Sequence, residues 1–230
     1  MTAPEGATIT SPATGSQPLP GATPALGARW RRRLIQLYAG LVLYGVSMAL
    51  MIRAGFGLDP WDVFHQGLAT RTGWSFGVTT MVVGAAVLLL WIPLRQWPGI
   101  GTVSNVVVIG LSVDAALAVL AAPGALVARA ALLAAGVVLN GIATAAYIGA
   151  GLGPCPRDGL MTGFVRRTGA SVRLVRTFIE IAVLAVGWLL GGTVGVATVA
   201  YALAIGPLVH LFLPLLTVPG VTAGGDSLAP

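Results

Sequence analysis

The sequence predicts an all-α, polytopic membrane protein of about six transmembrane helices. These form two inverted three-helix repeats, each with a short motif helix after its first span. Three observations carry this prediction. First, hydrophobic residues make up 56% of the 230 positions and charged residues only 9%, with a mean hydropathy of +0.89, whereas about a quarter of a soluble domain is charged. Second, runs apolar enough to cross a hydrocarbon core of about 30 Å recur along the chain. Third, "GFGLDPWDVFHQGLATRTGWS" (Gly55 to Ser75) returns as "GLGPCPRDGLMTGFVRRTGAS" (Gly151 to Ser171).

The apolar runs lie at roughly 34–52, 76–94, 102–122, 128–148, 172–190 and 194–216. Each has the length and composition of a helical span. Residues 1–28, rich in Pro, Gly, Ala, Ser and Thr, read as a disordered cytoplasmic tail, and 217–230 as a flexible C-terminal tail. Between them, 29–216 forms one membrane domain, with repeat 1 at about 33–122 and repeat 2 at about 128–216. The cluster Arg29, Arg31, Arg32 and Arg33 precedes a run longer than a signal-peptide core, so it reads as a cytoplasmic anchor.

A shift of 96 residues lays 129–210 over 33–114 without a gap, with 29 of 82 positions identical. The informative identities are Pro60 with Pro156, Asp62 with Asp158, Gly67 with Gly163, Arg71-Thr72-Gly73 with Arg167-Thr168-Gly169, and Ser75 with Ser171. Three spans per half is an odd number, so the second half enters from the opposite face. With the N-terminus inside, ten of the 13 basic residues fall on the cytoplasmic side and only Arg53, Arg71 and Arg129 outside. That asymmetry matches the positive-inside tendency.

In each motif, proline suits the first helical position and the aspartate two residues later complements the helix dipole. Asp59 can cap the first motif helix, Gly73 or Gly169 can end each one, and Ser75 or Ser171 can cap the next span. A helix of about 12 residues is too short to span, leaving an interfacial helix, an ordered loop or a re-entrant segment. On one reading Asp62 and Asp158 only cap. On the other, the two copies meet at a repeat interface, where broken helix ends hold substrates, and Pro60, Trp61, Asp62, Pro156, Arg157 and Asp158 line a substrate site with Arg157 binding an anion.

Glu180, Asp114 and His210 are coupling candidates because ionisable groups inside spans are functional by default. Each has a structural alternative: an i,i+4 pair with Arg176 for Glu180, and water-filled helix ends for Asp114 and His210. Asn140, Asn105 and Tyr44 read as interhelical hydrogen-bonding residues, and Gly45 with Ala49 and Gly141 with Ala145 as close-packing pairs. Trp30, Trp61, Trp74, Trp91 and Trp97 fall near span ends, as an aromatic belt does.

One cysteine, Cys155, excludes an internal disulfide, and no metal set is expected. The basic surplus is all arginine flanking apolar runs, which argues against nucleic acid as a partner. No nucleophile motif or phosphate loop is present, so the chain is expected not to be an enzyme and to need no cofactor. The expected partners are the lipid bilayer and a small-molecule or ion substrate, and a homo-oligomer is compatible with this architecture.

At "LYGVSMALMIRAGFGLDPWDVFHQGL" and "YIGAGLGPCPRDGLMTGFVRRTG" the chain resembles the YczE/YyaS/YitT-like group of bacterial integral membrane proteins, over roughly 33–213. The family motif maps onto Pro60, Trp61, Asp62, Pro156, Arg157, Asp158 and Gly159. Cys155 departs from the small residue expected before the second proline. The resemblance implies a multi-pass plasma-membrane protein and supplies no catalytic residues. Two functions remain open at this point. One is a small-solute transporter or permease-like protein with its site at the repeat interface. The other is a non-transporting scaffold whose arginine-rich cytoplasmic loop, Arg157 to Arg176, binds a partner or anionic lipid.

Overall fold

The computed structural model describes residues 26–219, so most of the two expected tails lies outside the described residues. Eight helices and no strand occur among the described residues: α1 (Leu26–Ala54), α2 (Pro60–Thr72), α3 (Phe76–Trp91), α4 (Ile100–Val119), α5 (Leu126–Ala150), α6 (Pro156–Thr168), α7 (Val172–Leu189) and α8 (Val196–Leu216). Two tail assignments change at their inner edges. Helix α1 begins at Leu26, and Val218 is buried with its N–H donating to the Gly149 carbonyl.

The chain is a helical membrane protein. By length and apolarity α1, α4, α5 and α8 each suffice to cross a bilayer, and α2 with α3, bent by 113°, could make a fifth crossing. The expected second and fifth spans fall short of that standard for identifiable reasons. Helix α3 has 16 residues, and α7 carries Arg173, Arg176 and Glu180.

Helices α1 and α5 form the central pair, flanked by α4 on α1 and α8 on α5. Small residues let these backbones approach. Gly40 of α1 abuts Ala143 and Ala146 of α5, and Gly136 of α5 abuts Ser47 and Met51 of α1. Gly45 faces Ile109, Ser112 and Val113 of α4, while Gly141 faces Leu208 of α8. Under the 96-residue shift each contact of one half thus has its counterpart in the other.

The helix ends repeat this exchange. Arg33 Nε donates to the Ala150 carbonyl at 2.7 Å, and Arg129 Nε to the Ala54 carbonyl at 2.8 Å. Each arginine thereby closes the C-terminus of the opposite long helix, where carbonyls lack partners and the dipole favours a cation. Asn140 ties the core laterally, donating to Ser47 Oγ at 2.9 Å and accepting from Tyr201 Oη at 2.8 Å. Trp30, Trp74 and Trp97 are exposed as a belt requires, whereas Trp61 and Trp91 are buried and belong to the interior.

Candidate functional site

Both motif segments form the helices that the pattern of Pro, Asp and Gly dictates. Asp59 caps α2, its Oδ1 accepting from the Asp62 amide at 2.9 Å, and Gly73 ends the helix in the left-handed conformation (φ 75°). Gly169 ends α6 in the same way, at φ 68°. Cys155 stands where α2 has its capping aspartate and makes no side-chain cap. Its thiol donates instead to Asp158 Oδ2 at 3.0 Å.

Each motif helix lies against the other half of the chain, α2 on α7 and α6 on α3. The two contacts solve one spacing problem in opposite ways. Trp91 of α3 occupies the gap above Gly159 of α6 and donates its indole N–H to the Pro156 carbonyl at 3.0 Å, leaving no room for a Cβ on that glycine. At the equivalent contact the glycine is Gly187 of α7, which lies against the backbone of Val63 and Phe64 of α2.

The N-terminal ends of α2 and α6 converge. Arg157 Nη1 lies 4.0 Å from Asp59 Oδ2, and its Nη2 donates to Tyr44 Oη of α1 at 2.7 Å. Asp59 and Asp62 are each 2% exposed. Asp62 Oδ1 lies 3.3 Å from His65 Nδ1, and the His65 ring meets Phe76 edge-on at 6.0 Å. One Oδ2 on each aspartate is buried without a hydrogen-bond partner, as is Thr144 Oγ1.

Two cavities flank this cluster. The smaller, about 70 Å³, opens between α3 and α4 and is lined by Tyr44, Asp62, His65, Thr80 and Asn105 among others. The larger, about 490 Å³, opens between α7 and α8 and takes in Asp59, Asp158, Thr144, Arg176, Glu180 and His210. Trp61, Tyr147 and Arg157 line both, so the guanidinium stands between them.

Of the expected site residues, Trp61, Asp62, Pro156 and Arg157 border the smaller cavity, and Pro60, Trp61, Arg157 and Asp158 the larger. The coupling candidates separate. Asp114 lies away from the cluster, where it accepts from the Gly77 amide at 2.7 Å and from Ser75 Oγ, so it joins α4 to the start of α3. Glu180 pairs with Arg176 at 3.0 Å, as its i,i+4 spacing allows, on the wall of the larger cavity, and His210 lies exposed on the same wall. Arg157 differs from the other arginines of its segment, its side chain 31% exposed. It turns inward, while Arg166, Arg167, Arg173 and Arg176 are exposed.

Sequence reasoning read Asp59 as a cap and Tyr44 as an interhelical hydrogen-bonding residue, as the structure has them, but placed none of Asp59, His65 and Tyr44 at the site. A signal was available for the first two: Asp59, Asp62 and His65 follow one another at three-residue steps, which places them on one side of a helix start. Tyr44 offered none, since only the tertiary fold brings it to Arg157.

The chain belongs to the family described as "Family of unknown function (DUF6198)", which matches residues 31–214. It is 38% identical over 195 residues to an "Uncharacterized protein" of Haemophilus influenzae, covering 85% of this chain and 89% of that one. It is 34% identical over 180 residues to the "Uncharacterized membrane protein YczE" of Bacillus subtilis, covering 77% and 83%. A second Bacillus subtilis relative, the "Uncharacterized protein YyaS", is 23% identical over 181 residues, covering 77% of this chain and 90% of its own. No solved structure matches.

Proposed function

Starting from membership of a membrane-protein family with no activity attached to its name, we propose that this chain is a small-solute transporter or permease-like protein. It has six spans in two inverted halves and sits in the plasma membrane with its N-terminus cytoplasmic. In this architecture α2 and α6 re-enter from opposite faces and α3 and α7 complete the spans, α7 snorkelling its arginines to the interface. The reciprocal contacts of Arg33 and Arg129 support a two-fold relation between the halves, which an inverted topology would turn into an axis in the membrane plane.

The observation that carries this proposal is the meeting of two motif-helix N-termini, from equivalent places in the two halves, at a buried charged cluster between two cavities. Broken-helix ends at a repeat interface combine dipole ends and unsatisfied backbone groups, and transporters place substrates there. The larger cavity falls within the range of about 300–1,000 Å³ typical of small-molecule sites. Arg157 supplies a guanidinium with one firm hydrogen bond, to Tyr44, leaving donors for an anionic group of the solute.

The test is uptake into proteoliposomes of a panel of labelled amino acids, carboxylates and organic cations, with Arg157→Gln and Asp62→Asn assayed alongside. Uptake that falls about tenfold or more in both variants, a loss of about 1.4 kcal/mol, supports the site, provided both remain monodisperse. Uptake that persists in both removes the motif helices from the mechanism.

A further inference from the structure

The buried cluster holds more negative charge than its neighbours balance. Asp59 and Asp62 lie within one helical turn, both almost fully buried, and the cation facing them within the protein is Arg157. Arg157 Nη1 stands 4.0 Å from Asp59, beyond hydrogen-bond reach, and Nη2 is committed to Tyr44. The other titratable groups around the pair do not supply the missing charge. Tyr44 of α1, Tyr147 of α5 and Tyr201 of α8 are neutral when protonated. Cys155 donates to Asp158 of α6, and Glu180 of α7 is paired with Arg176 at the cavity wall. An uncompensated carboxylate in an apolar interior is strongly unfavourable.

His65 is the remaining candidate to carry the balancing charge, and its geometry speaks against that. Its 3.3 Å separation from Asp62 is longer than the ~2.7–2.9 Å of a charge-assisted bond. Its ring is also surrounded by Trp61, Phe64 and Phe76. Among the described residues no group of three or more His, Cys, Asp or Glu side chains is arranged to hold a metal ion, and the two oxygens without hydrogen-bond partners, Asp59 Oδ2 and Asp62 Oδ2, are shielded from solvent. A proton needs neither a ligand set nor open space. It also turns one orphan acceptor into a donor.

We propose that Asp59 and Asp62 form a proton-binding site, the pair carrying one proton between them in this state of the protein. Asp62 borders the smaller cavity and Asp59 the larger, so the proton is reachable from both sides of the cluster. If the transport function above holds, this pair is the place where proton movement couples to solute movement, in preference to Asp114, which is engaged in joining two helices. The proton site itself does not depend on that function.

Infrared spectroscopy of the purified full-length protein tests it directly. A protonated carboxylic acid has a carbonyl stretch distinct from that of a carboxylate, and the band shifts in D2O. The expected result is such a band at neutral pH that is lost in both Asp59→Asn and Asp62→Asn and is retained in Asp114→Asn and Glu180→Gln. Asparagine at position 59 can still cap α2, so that variant keeps its fold, and size-exclusion chromatography checks it. No protonated-acid band at neutral pH, or a band unchanged in both motif variants, overturns the proposal. Because the readout needs no solute, failure of every uptake assay would sink the transport function while leaving this result intact.

Discussion

The crevice between α3 and α4 and the crevice between α7 and α8 occupy equivalent places in the two halves, yet one encloses about 70 Å³ and the other about 490 Å³. Helix α3 packs along α4, whereas α7 makes no comparable contact with α8. The difference is written in side chains at matched positions. Helix α3 turns Gly77 and Gly84 toward α4, and a Cβ on Gly77 would strike the Gly110 carbonyl. At the same two positions α7 carries Arg173 and Glu180, and Arg176 replaces Thr80. Gly206, the counterpart of Gly110, faces open space. A shared backbone plan therefore gives one narrow, largely apolar crevice and one wide, more polar vestibule, because glycine allows helices to touch and charged side chains demand water.

The sharpest way to break the comparison is to fill both glycines of the matched pair. Gly110→Leu should cost about 1–3 kcal/mol by overpacking against Met81 and Gly77. Gly206→Leu should stay within about 0.5 kcal/mol. Thermal unfolding in detergent reads both, and equal losses would mean the second crevice is closed in solution.

A smaller effect is expected where α6 and α3 meet. Gly159→Val alone should be destabilising because its side chain would overlap Trp91. Adding Trp91→Gly recreates the arrangement of Val63 and Gly187, so the double variant should recover part of the loss, with a coupling of about 1 kcal/mol. Strict additivity in this cycle would show that the two contacts are not equivalent solutions.

Next in size is the tie from α4 to α3. Asp114→Ala removes the acceptor for the Gly77 amide and Ser75 Oγ and should cost about 1 kcal/mol. His210→Ala at the matched position should cost almost nothing, since His210 is exposed on the vestibule wall. Equal costs would mean that α8 is tied to α7 after all.

The smallest effect concerns Glu180. Its pair with Arg176 is half-exposed, so Glu180→Gln should change stability by no more than about 0.5 kcal/mol. A sulfhydryl reagent offers a readout of access rather than stability. In a Cys155→Ala background, Arg176→Cys should react with a water-soluble maleimide much faster than Thr80→Cys. The reverse order would place the open vestibule in the first half.

Much of this was legible because short-range rules govern it. The apolar runs, the capping of α2 and α6, the glycine stops at Gly73 and Gly169, and the repeat linking Asp62 to Asp158 follow from composition, periodicity and turn chemistry. The i,i+4 pairing of Glu180 with Arg176 was legible for the same reason. The coupling candidates were not, because whether an ionisable residue in a helix faces a neighbour, a cavity or a helix end depends on the rotation and tilt of elements far apart in sequence. Asp114 proved to be a tie between helices on that account, and Arg157 turned toward Tyr44 and Asp59, the inward one of the two placements left open for it.

By itself, the sequence determined that this protein is a helical membrane protein built from two matched halves, each punctuated by a proline, an aspartate and a terminating glycine. Those features rest on the free energy of burying apolar side chains and on local backbone preferences, which nearby residues fix. Only the tertiary structure decided that the two motif helices meet at their N-terminal ends, that Tyr44 holds Arg157, and that one crevice is narrow while its counterpart is wide. Those outcomes depend on which side chains share a contact across long stretches of chain, such as Gly159 beneath Trp91, and a packed interior is sensitive to a single methyl group.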